Sequence, residues 1–128
     1  MNEQWIVAVD GCTQYFKFKG GPLHRTDGPA LILGDGTESW YFDGELHRTD
    51  GPAVSTHYGD SWFEHGRRHR TDGPAIIGSL GQMRWYVDGV ICKDAVTFQQ
   101  AAKLTDSEMV AIVLKYGPIT HTPWNVDI

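Results

Sequence analysis

The sequence lacks the features of a secreted, membrane-spanning or disulfide-stabilised protein. Cys12 and Cys92 are the only cysteines among 128 residues, and they fit neither a CxxC motif nor a disulfide framework. No apolar run approaches the roughly 18 residues of a transmembrane helix, and the first four residues, Met-Asn-Glu-Gln, lack the basic start of a signal peptide. We therefore expect a cytoplasmic protein with reduced thiols and no membrane partner.

Basic charge and catalytic motifs are scarce as well. The formal net charge is −5, from 11 Lys and Arg against 16 Asp and Glu, which argues against a general nucleic-acid binder. The sequence contains no Gly-x-Ser-x-Gly elbow, no P-loop and no His-Glu-x-x-His. We therefore expect no direct nucleic-acid partner, no catalytic residue, no metal and no cofactor.

One heptapeptide, His-Arg-Thr-Asp-Gly-Pro-Ala, occurs three times without a change. The copies start at His24, His47 and His69, at intervals of 23 and 22 residues. A fixed period of this size indicates a repeat architecture in which each unit stacks on the next. A residue that recurs in every unit is therefore expected to build the scaffold. We name residues 24–30, 47–53 and 69–75 corners 1, 2 and 3.

Each corner is associated with short aromatic and apolar runs joined by turn residues. Asp43-Gly44, His65-Gly66 and Asp88-Gly89 are predicted to be the central residues of type I′ hairpin turns, where both residues need a positive φ. Hairpins that follow one another in this way predict an antiparallel meander. The predicted units lie near residues 5–30, 31–53, 54–75 and 76–93, and a helical cap and tail follow over residues 94–128.

The composition changes after Lys93. Residues 94–104 are predicted to form a short helix, and Thr105-Asp106-Ser107-Glu108 is a capping box that begins a second helix. Gly117-Pro118 is expected to end that helix. The sequence therefore predicts a mainly β fold with a small α part: a single-sheet antiparallel meander of hairpin repeats capped by one or two C-terminal helices.

The units resemble variant MORN repeats of the Trp-Tyr-x-x-Gly hairpin type over about residues 10–93. They are more similar still to the His-Arg-x-Asp-Gly-Pro-Ala proteins of tailed phages and large DNA viruses. This resemblance implies MORN-like hairpins that form a binding or scaffolding surface. It also implies a viral source and a host protein as the partner. The last unit departs from the pattern, because Cys92-Lys93 replaces His-Arg.

The repeated His, Arg and Asp are interpreted as structural. Equivalent residues of neighbouring units are expected about 10 Å apart, since each unit contributes two strands spaced by roughly 4.8 Å. His24, His47 and His69 then cannot share one zinc ion, whose nitrogen ligands lie within about 2.1 Å. We expect the corner aspartates to cap turns and to pair with the corner arginines. A hydrolase that uses the repeated His and Asp is accordingly disfavoured.

Alternation along the hairpins gives the sheet two different faces. One is mostly apolar and is expected to form the core under the helix, whereas the other mixes three Trp with His and ion pairs and suits an interface. A second interpretation stays open for the Trp side chains, because a curled sheet would bury them in a small core of their own. The apolar face carries Tyr41, Leu46, Phe63, Tyr86, Ile91 and, as an exception, Arg68. The predicted binding residues are Trp40, Glu45, Trp62, Glu64, Arg67, Arg68, Trp85 and Trp124.

These observations favour a non-enzymatic protein-binding module. The family context and the acidic charge favour a phage-encoded inhibitor of a host defence protein, such as an anti-CRISPR protein that blocks a nucleic-acid-binding site. A nucleotide or cyclic-dinucleotide sponge is the main alternative, since aromatic rings stack on bases and arginines hold phosphates. The strand near Trp5–Val9 has no obvious cap, so we expect either self-association through this edge or cover by the C-terminal tail.

Overall fold

The structure, a computed structural model, describes residues 4–120 and is mainly β. Short strands alternate with tight turns up to Cys92, and two helices follow. The strands are β1 Trp5–Val9, β2 Cys12–Phe16, β3 Leu31–Ile32, β4 Glu38–Ser39, β5 Tyr41–Phe42, β6 Glu45–Leu46, β7 Val54–Thr56, β8 Gly59–Ser61, β9 Phe63–Glu64, β10 Arg67–Arg68, β11 Ile76–Gly78, β12 Met83–Val87 and β13 Val90–Cys92. The helices are α1 Ala95–Ala102 and α2 Asp106–Tyr116.

Nine of these strands form one antiparallel sheet in the order β1-β2-β3-β4-β7-β8-β11-β12-β13. The order in the sheet follows the order in the chain, as in a meander. The remaining strands form two short hairpins, β5-β6 and β9-β10. Along the chain, each hairpin connects two strands that are neighbours in the nine-stranded sheet. The predicted fold, a β-hairpin meander capped by one or two C-terminal helices, is therefore confirmed, and the number of helices is two.

The hairpin turns have the predicted backbone conformation. Asp43, His65 and Asp88 have φ values of 48–50°, and the glycines that follow them have values of 79–82°. Two consecutive residues with positive φ are the signature of a type I′ turn, whose twist matches that of the strands it joins. Asp10-Gly11, which joins β1 to β2, has the same conformation.

Backbone hydrogen bonds tie each hairpin to the next one. The N–H of Gly66 in the β9-β10 turn donates to the carbonyl of Leu46 at 2.8 Å, and the N–H of Arg48 donates to the carbonyl of Phe63 at 3.0 Å. The same two bonds recur one unit earlier and one unit later, so the hairpins stack in a fixed register. These pairs are Gly44 with Leu23, Arg25 with Tyr41, Gly89 with Arg68 and Arg70 with Tyr86.

The strand register defines two faces, because directly opposed residues of neighbouring antiparallel strands point to the same side. We name the side that carries Tyr15, Trp40, Trp62 and Trp85 the corner face. The opposite side is the Arg68 face. Across the sheet, the Arg68 face carries the opposed residues Leu31, Ser39, Val54, Ser61, Ile76 and Arg84.

The helices pack on the corner face, so the expectation that they cover the face with Tyr41 and Leu46 is wrong. Trp85 is 2 % exposed and Phe98 is fully buried, and their ring centroids lie 4.8 Å apart in an edge-on arrangement. The reason lies in the last unit, where Cys92-Lys93 replaces His-Arg and leaves the Trp85 ring without a corner arginine. Phe98 covers that ring instead. The core around this contact consists of Trp85, Val87, Cys92, Phe98, Met109, Ile112 and Ile119.

Side-chain caps set both helix starts, and the capping box of α2 is the one that the sequence predicts. Asp94 accepts a hydrogen bond from the Thr97 N–H at the start of α1, and Thr105 and Glu108 form the reciprocal capping box of α2. These backbone bonds lower the pKa of Asp94 and of Glu108 below their ordinary values. Burial raises the pKa of Cys92, so its thiol stays protonated at neutral pH. Between residues 4 and 120, no helix has the length and apolarity to cross a membrane.

Candidate functional site

Each corner is built around its arginine. In corner 2 the Arg48 guanidinium lies over the Trp40 ring, 3.9 Å from the ring centroid. Its Nε donates to Asp50 at 2.8 Å and its Nη1 donates to the Pro52 carbonyl at 3.2 Å. The expected pairing of the corner arginine with the corner aspartate is therefore confirmed. The equivalent contacts are Arg25 with Tyr15, Asp27 and Pro29, and Arg70 with Trp62, Asp72 and Pro74.

The corner glycine allows the arginine to approach the backbone. A Cβ placed on Gly51 would lie 2.8 Å from Arg48 Cζ, and the same distance recurs at Gly28 and Gly73. The guanidinium cannot move aside freely, because the aromatic ring, the carboxylate and the carbonyl hold it from three directions. The Gly in the heptapeptide is thus required by packing.

Gly51→Ala is expected to lower the free energy of unfolding by about 1–3 kcal/mol, the usual effect of overpacking. The added methyl group displaces the Arg48 guanidinium and weakens its three contacts. Gly34→Ala is the matched control, because a Cβ there meets no atom closer than 3.7 Å. Urea unfolding followed by circular dichroism measures both variants, and equal losses of stability would contradict this account of corner 2.

The corner histidine joins its own hairpin to the next. The backbone N–H of His65 donates to His47 Nδ1 at 3.0 Å, which satisfies a turn N–H that the sheet leaves unpaired. Since Nδ1 accepts this bond, the neutral ring carries its proton on Nε2. Among residues 4–120, no group of three or more His, Cys, Asp or Glu has the arrangement of a metal site. The same bond links Asp43 to His24 and Asp88 to His69.

His47→Leu is expected to lower the free energy of unfolding by about 1 kcal/mol, since one hydrogen bond between hairpins is lost. His47→Asn is the matched variant, because an amide oxygen stands as many bonds from Cα as Nδ1 does and can accept from the same N–H. We expect the Asn variant to keep most of the stability. Thermal unfolding measures the stability of the two variants. An Asn variant no more stable than the Leu variant would show that residue 47 does not stabilise the protein as a hydrogen-bond acceptor.

The threonine is the one residue of the heptapeptide whose side chain the corner does not use. Thr26, Thr49 and Thr71 are exposed, and their hydroxyl groups form no hydrogen bond with any other described residue. In contrast, the corner alanines are fully buried, and the other five residues make the contacts given above. Three identical exposed side chains therefore stand in a row on a rigid frame.

Two similar pockets lie between consecutive corners. The first has a volume of about 470 Å³ between corners 1 and 2, and the second about 520 Å³ between corners 2 and 3. Arg48, Thr49 and Asp50 line both, so corner 2 forms the shared wall. At one equivalent position the residue type differs, Phe42 in the first pocket and Glu64 in the second, and Gly51 and Pro52 line only the second. We name this pair of pockets, with the corners that border it, the corner groove.

Carboxylates form the outer layer of the corner groove. The side chains of Asp27, Asp50 and Asp72 are 77–82 % exposed, whereas those of the arginines beneath them are 12–25 % exposed. Hydrogen bonding to Arg48 lowers the pKa of Asp50, so this carboxylate is charged at neutral pH. Strand spacing separates equivalent corner positions by about 10 Å. The rim of the groove therefore presents carboxylate oxygens at regular intervals, each carboxylate being paired with the arginine beneath it.

The structure brings together several of the predicted binding residues and separates others. Trp40, Trp62 and Glu64 line the corner groove, and the Glu64 carboxylate lies 3.0 Å from His69 Nε2. Glu45 and Arg67 are exposed on the hairpins that border it. These five residues share the corner face, as the alternation along the hairpins predicts.

The remaining three predicted residues have different positions. Trp85 was one of the predicted binding residues, with burial in a small core as the second interpretation, and it lies in the core beneath α1. Arg68 lies on the opposite face of the sheet, beside Phe63 and Tyr86. Trp124 falls outside the described residues. Thr49 was not among the predicted binding residues, because its occurrence in all three corners predicted a scaffold role.

Comparison with known proteins places no further constraint on the function. No family model, curated protein or solved structure matches this chain.

Proposed function

We propose that this protein is a non-enzymatic protein-binding module and that its corner groove is the binding surface. The observation that carries the proposal is the duplicated pocket on either side of corner 2. Six residues of each heptapeptide hold the frame, so the exposed threonines and carboxylates are presented with little conformational freedom. A preorganised surface loses less entropy on binding, which favours affinity for a protein partner.

The chemistry of the rim favours a basic partner. The carboxylates of Asp27, Asp50 and Asp72 face outwards, and Glu45 adds a fourth exposed acidic group on the same face. The whole chain carries a net charge of −5. Complementary charge accelerates encounter and selects among partners. We therefore propose a partner that presents Lys or Arg side chains, as a nucleic-acid-binding protein does.

The resemblance to viral proteins with the same heptapeptide adds the biological setting of this proposal. It favours a phage protein that occupies the nucleic-acid-binding surface of a host defence protein. Both cysteines are free thiols, which fits the reducing cytoplasm of a host cell. A variant MORN repeat is likewise our proposal for the family, on the strength of the Trp-Tyr-x-x-Gly hairpins.

The two alternatives have less support from the described contacts. A nucleotide sponge needs open aromatic faces for base stacking, but Arg48 and Arg70 already cover one face of Trp40 and of Trp62. A hydrolase needs an imidazole nitrogen that can take a proton, but the corner histidines use Nδ1 to accept a backbone N–H, so the neutral ring carries its proton on Nε2. Both observations favour protein binding over the alternatives.

Self-association through the first strand is a separate part of the proposal. β1 is the outermost strand of the sheet, and Trp5, Ile6 and Val9 are exposed on it. The backbone N–H and C=O of Tyr15 form their hydrogen bonds with Ala30 and His24, on the side of β2 away from β1. Ile6, which lies opposite Tyr15, therefore directs its own N–H and C=O to the free edge of the sheet. An apolar edge of this kind pairs readily with another copy. Light scattering is expected to show a dimer that Ile6→Lys converts to a monomer, and a monomeric wild type would contradict it.

The experiment that tests the proposed function is affinity capture followed by titration. Wild-type protein is used to isolate partners from host lysate, and each purified partner is then titrated at low and at high salt. We expect a protein with a basic surface whose affinity falls as salt rises, because exposed charges are screened. Recovery of no protein above background, or an affinity independent of salt, would overturn the proposal.

A further inference from the structure

Arg68 introduces a charge at a position that is apolar in the other hairpins. It lies opposite Phe63 in β9-β10, whereas Leu46 lies opposite Tyr41 and Ile91 lies opposite Tyr86. The scaffold therefore does not need a charged residue at this position. A guanidinium on this face calls for an explanation other than folding.

The half-buried Arg68 guanidinium has no hydrogen-bond acceptor among the described residues. Its Cζ lies 5.4 Å from the Phe63 ring centroid and 5.7 Å from that of Tyr86. Its Nε is buried and has no hydrogen-bond partner among residues 4–120. Each corner arginine, in contrast, has an aspartate within 3.0 Å. A half-buried cation without an acceptor is costly and is a ready site for an anion.

A pocket opens beside this side chain on the Arg68 face. Its volume is about 310 Å³, at the lower end of the roughly 300–1,000 Å³ of small-molecule sites. The Thr56 hydroxyl in its wall accepts from the Tyr58 N–H and donates to the Gly59 carbonyl, so its hydrogen bonds are already made. The lining residues are Val54, Thr56, Tyr58, Gly59, Ser61, Phe63 and Arg68.

Charge is distributed unequally between the two faces of the sheet. The acidic residues of the described strands are Glu38, Glu45, Asp60 and Glu64, and the register places all four on the corner face. The Arg68 face carries Arg68 and Arg84 on its strands and no strand carboxylate between residues 4 and 120. An anion at the pocket therefore meets positive charge and no carboxylate from the described strands of this face.

We propose that this pocket binds a small organic anion, with its apolar body against Val54 and Phe63 and its carboxylate or phosphate on the Arg68 guanidinium. This pocket lies on the Arg68 face and the corner groove lies on the other face of the sheet. A ligand in one site therefore does not block the other. Carboxylates and phosphates each present a pair of oxygens that can accept two parallel hydrogen bonds from a planar guanidinium. The volume limits the ligand to one ring or one short branched chain.

The test is a titration of the full chain with phenylacetate and with phenyl phosphate, followed by NMR of the backbone amides and of the arginine Nε–H groups. Phenylacetamide, which is neutral and similar in shape, is the control ligand. We expect both anions to shift the NMR signals of the Arg68 Nε–H and of the Ser61 and Phe63 amides. Phenylacetamide is expected to bind at least about tenfold more weakly than either anion. Stronger binding of one anion assigns the natural ligand to that class.

Two neighbouring variants make the test specific. Arg68→Leu restores the residue type found at Leu46 and is expected to weaken anion binding about tenfold or more, since a charge-assisted hydrogen bond is lost. Arg67→Leu removes the same charge from the opposite face and is expected to leave binding unchanged. Equal binding of phenylacetamide, equal effects of the two variants, or no binding of either anion at millimolar concentration would overturn the proposal. Capture of a partner at the corner groove is unaffected by any of these outcomes.

Discussion

Trp85→Ala is expected to lower the free energy of unfolding by about 3–5 kcal/mol, the usual cost of removing a buried aromatic side chain. The ring is 2 % exposed and packs against Phe98 at 4.8 Å and Tyr116 at 5.8 Å. Its loss leaves a cavity where α1 and α2 meet the sheet. Domains of this size are stable by about 5–15 kcal/mol, so much of the stability would be lost. Urea unfolding followed by circular dichroism measures the change.

Trp40→Ala is the matched control for this prediction. Trp40 holds the equivalent position in an earlier hairpin, but it is half-buried and is covered by Arg48 rather than by a helix. We expect it to cost only about 1–2 kcal/mol, from the lost cation–π contact and partial burial. A larger loss from Trp40→Ala than from Trp85→Ala would contradict the assignment of one Trp to the core and the other to the groove.

Thr49→Arg is expected to weaken binding of the partner about 30-fold or more. This corresponds to a loss of about 2 kcal/mol of binding free energy, the size of effect that defines a hot-spot residue. Thr49 lies in the wall shared by both pockets, so a long side chain there fills the middle of the corner groove. The added positive charge also repels a basic partner. Isothermal titration calorimetry with the purified partner measures the loss.

Stability is expected to change by no more than about 0.5 kcal/mol in this variant, because Thr49 is exposed and forms no side-chain hydrogen bond with another described residue. Thr120→Arg is the matched control, since Thr120 is also exposed and lies in neither pocket. It should bind the partner like the wild type. If both variants bind normally, the corner groove is not the binding surface.

Much of the fold could be predicted because the determining interactions are local in sequence. Asp-Gly and His-Gly pairs select the type I′ turn, and the capping box starts α2 within four residues. The Arg–Asp pair of each corner spans two residues, so its geometry depends little on the remainder of the chain. Because the sequence repeats, a local prediction that is correct for one unit is also correct at the equivalent positions of the other two.

The position of the helices could not be predicted in the same way. Alternation fixes which residues share a face, but both faces of this sheet carry aromatic rings, so composition does not show which one is covered. That choice depends on the route of the chain after Lys93, where Asp94 caps α1 and directs Phe98 onto Trp85. The pocket beside Arg68 could not be predicted for a similar reason, because only the pairing of strands distant in sequence brings Val54 and Ser61 next to this side chain.

The most direct test of the central claim is hydrogen–deuterium exchange of the protein alone and in complex with its captured partner. If the corner groove is the binding surface, exchange slows in residues 25–27, 48–50 and 70–72, which belong to the three corners. Amides on β7 and β8, beside the pocket of the Arg68 face, should exchange at the same rate in both states. Protection confined to β7 and β8 or to β1, with unchanged corners, would contradict the assignment of function to the corner groove.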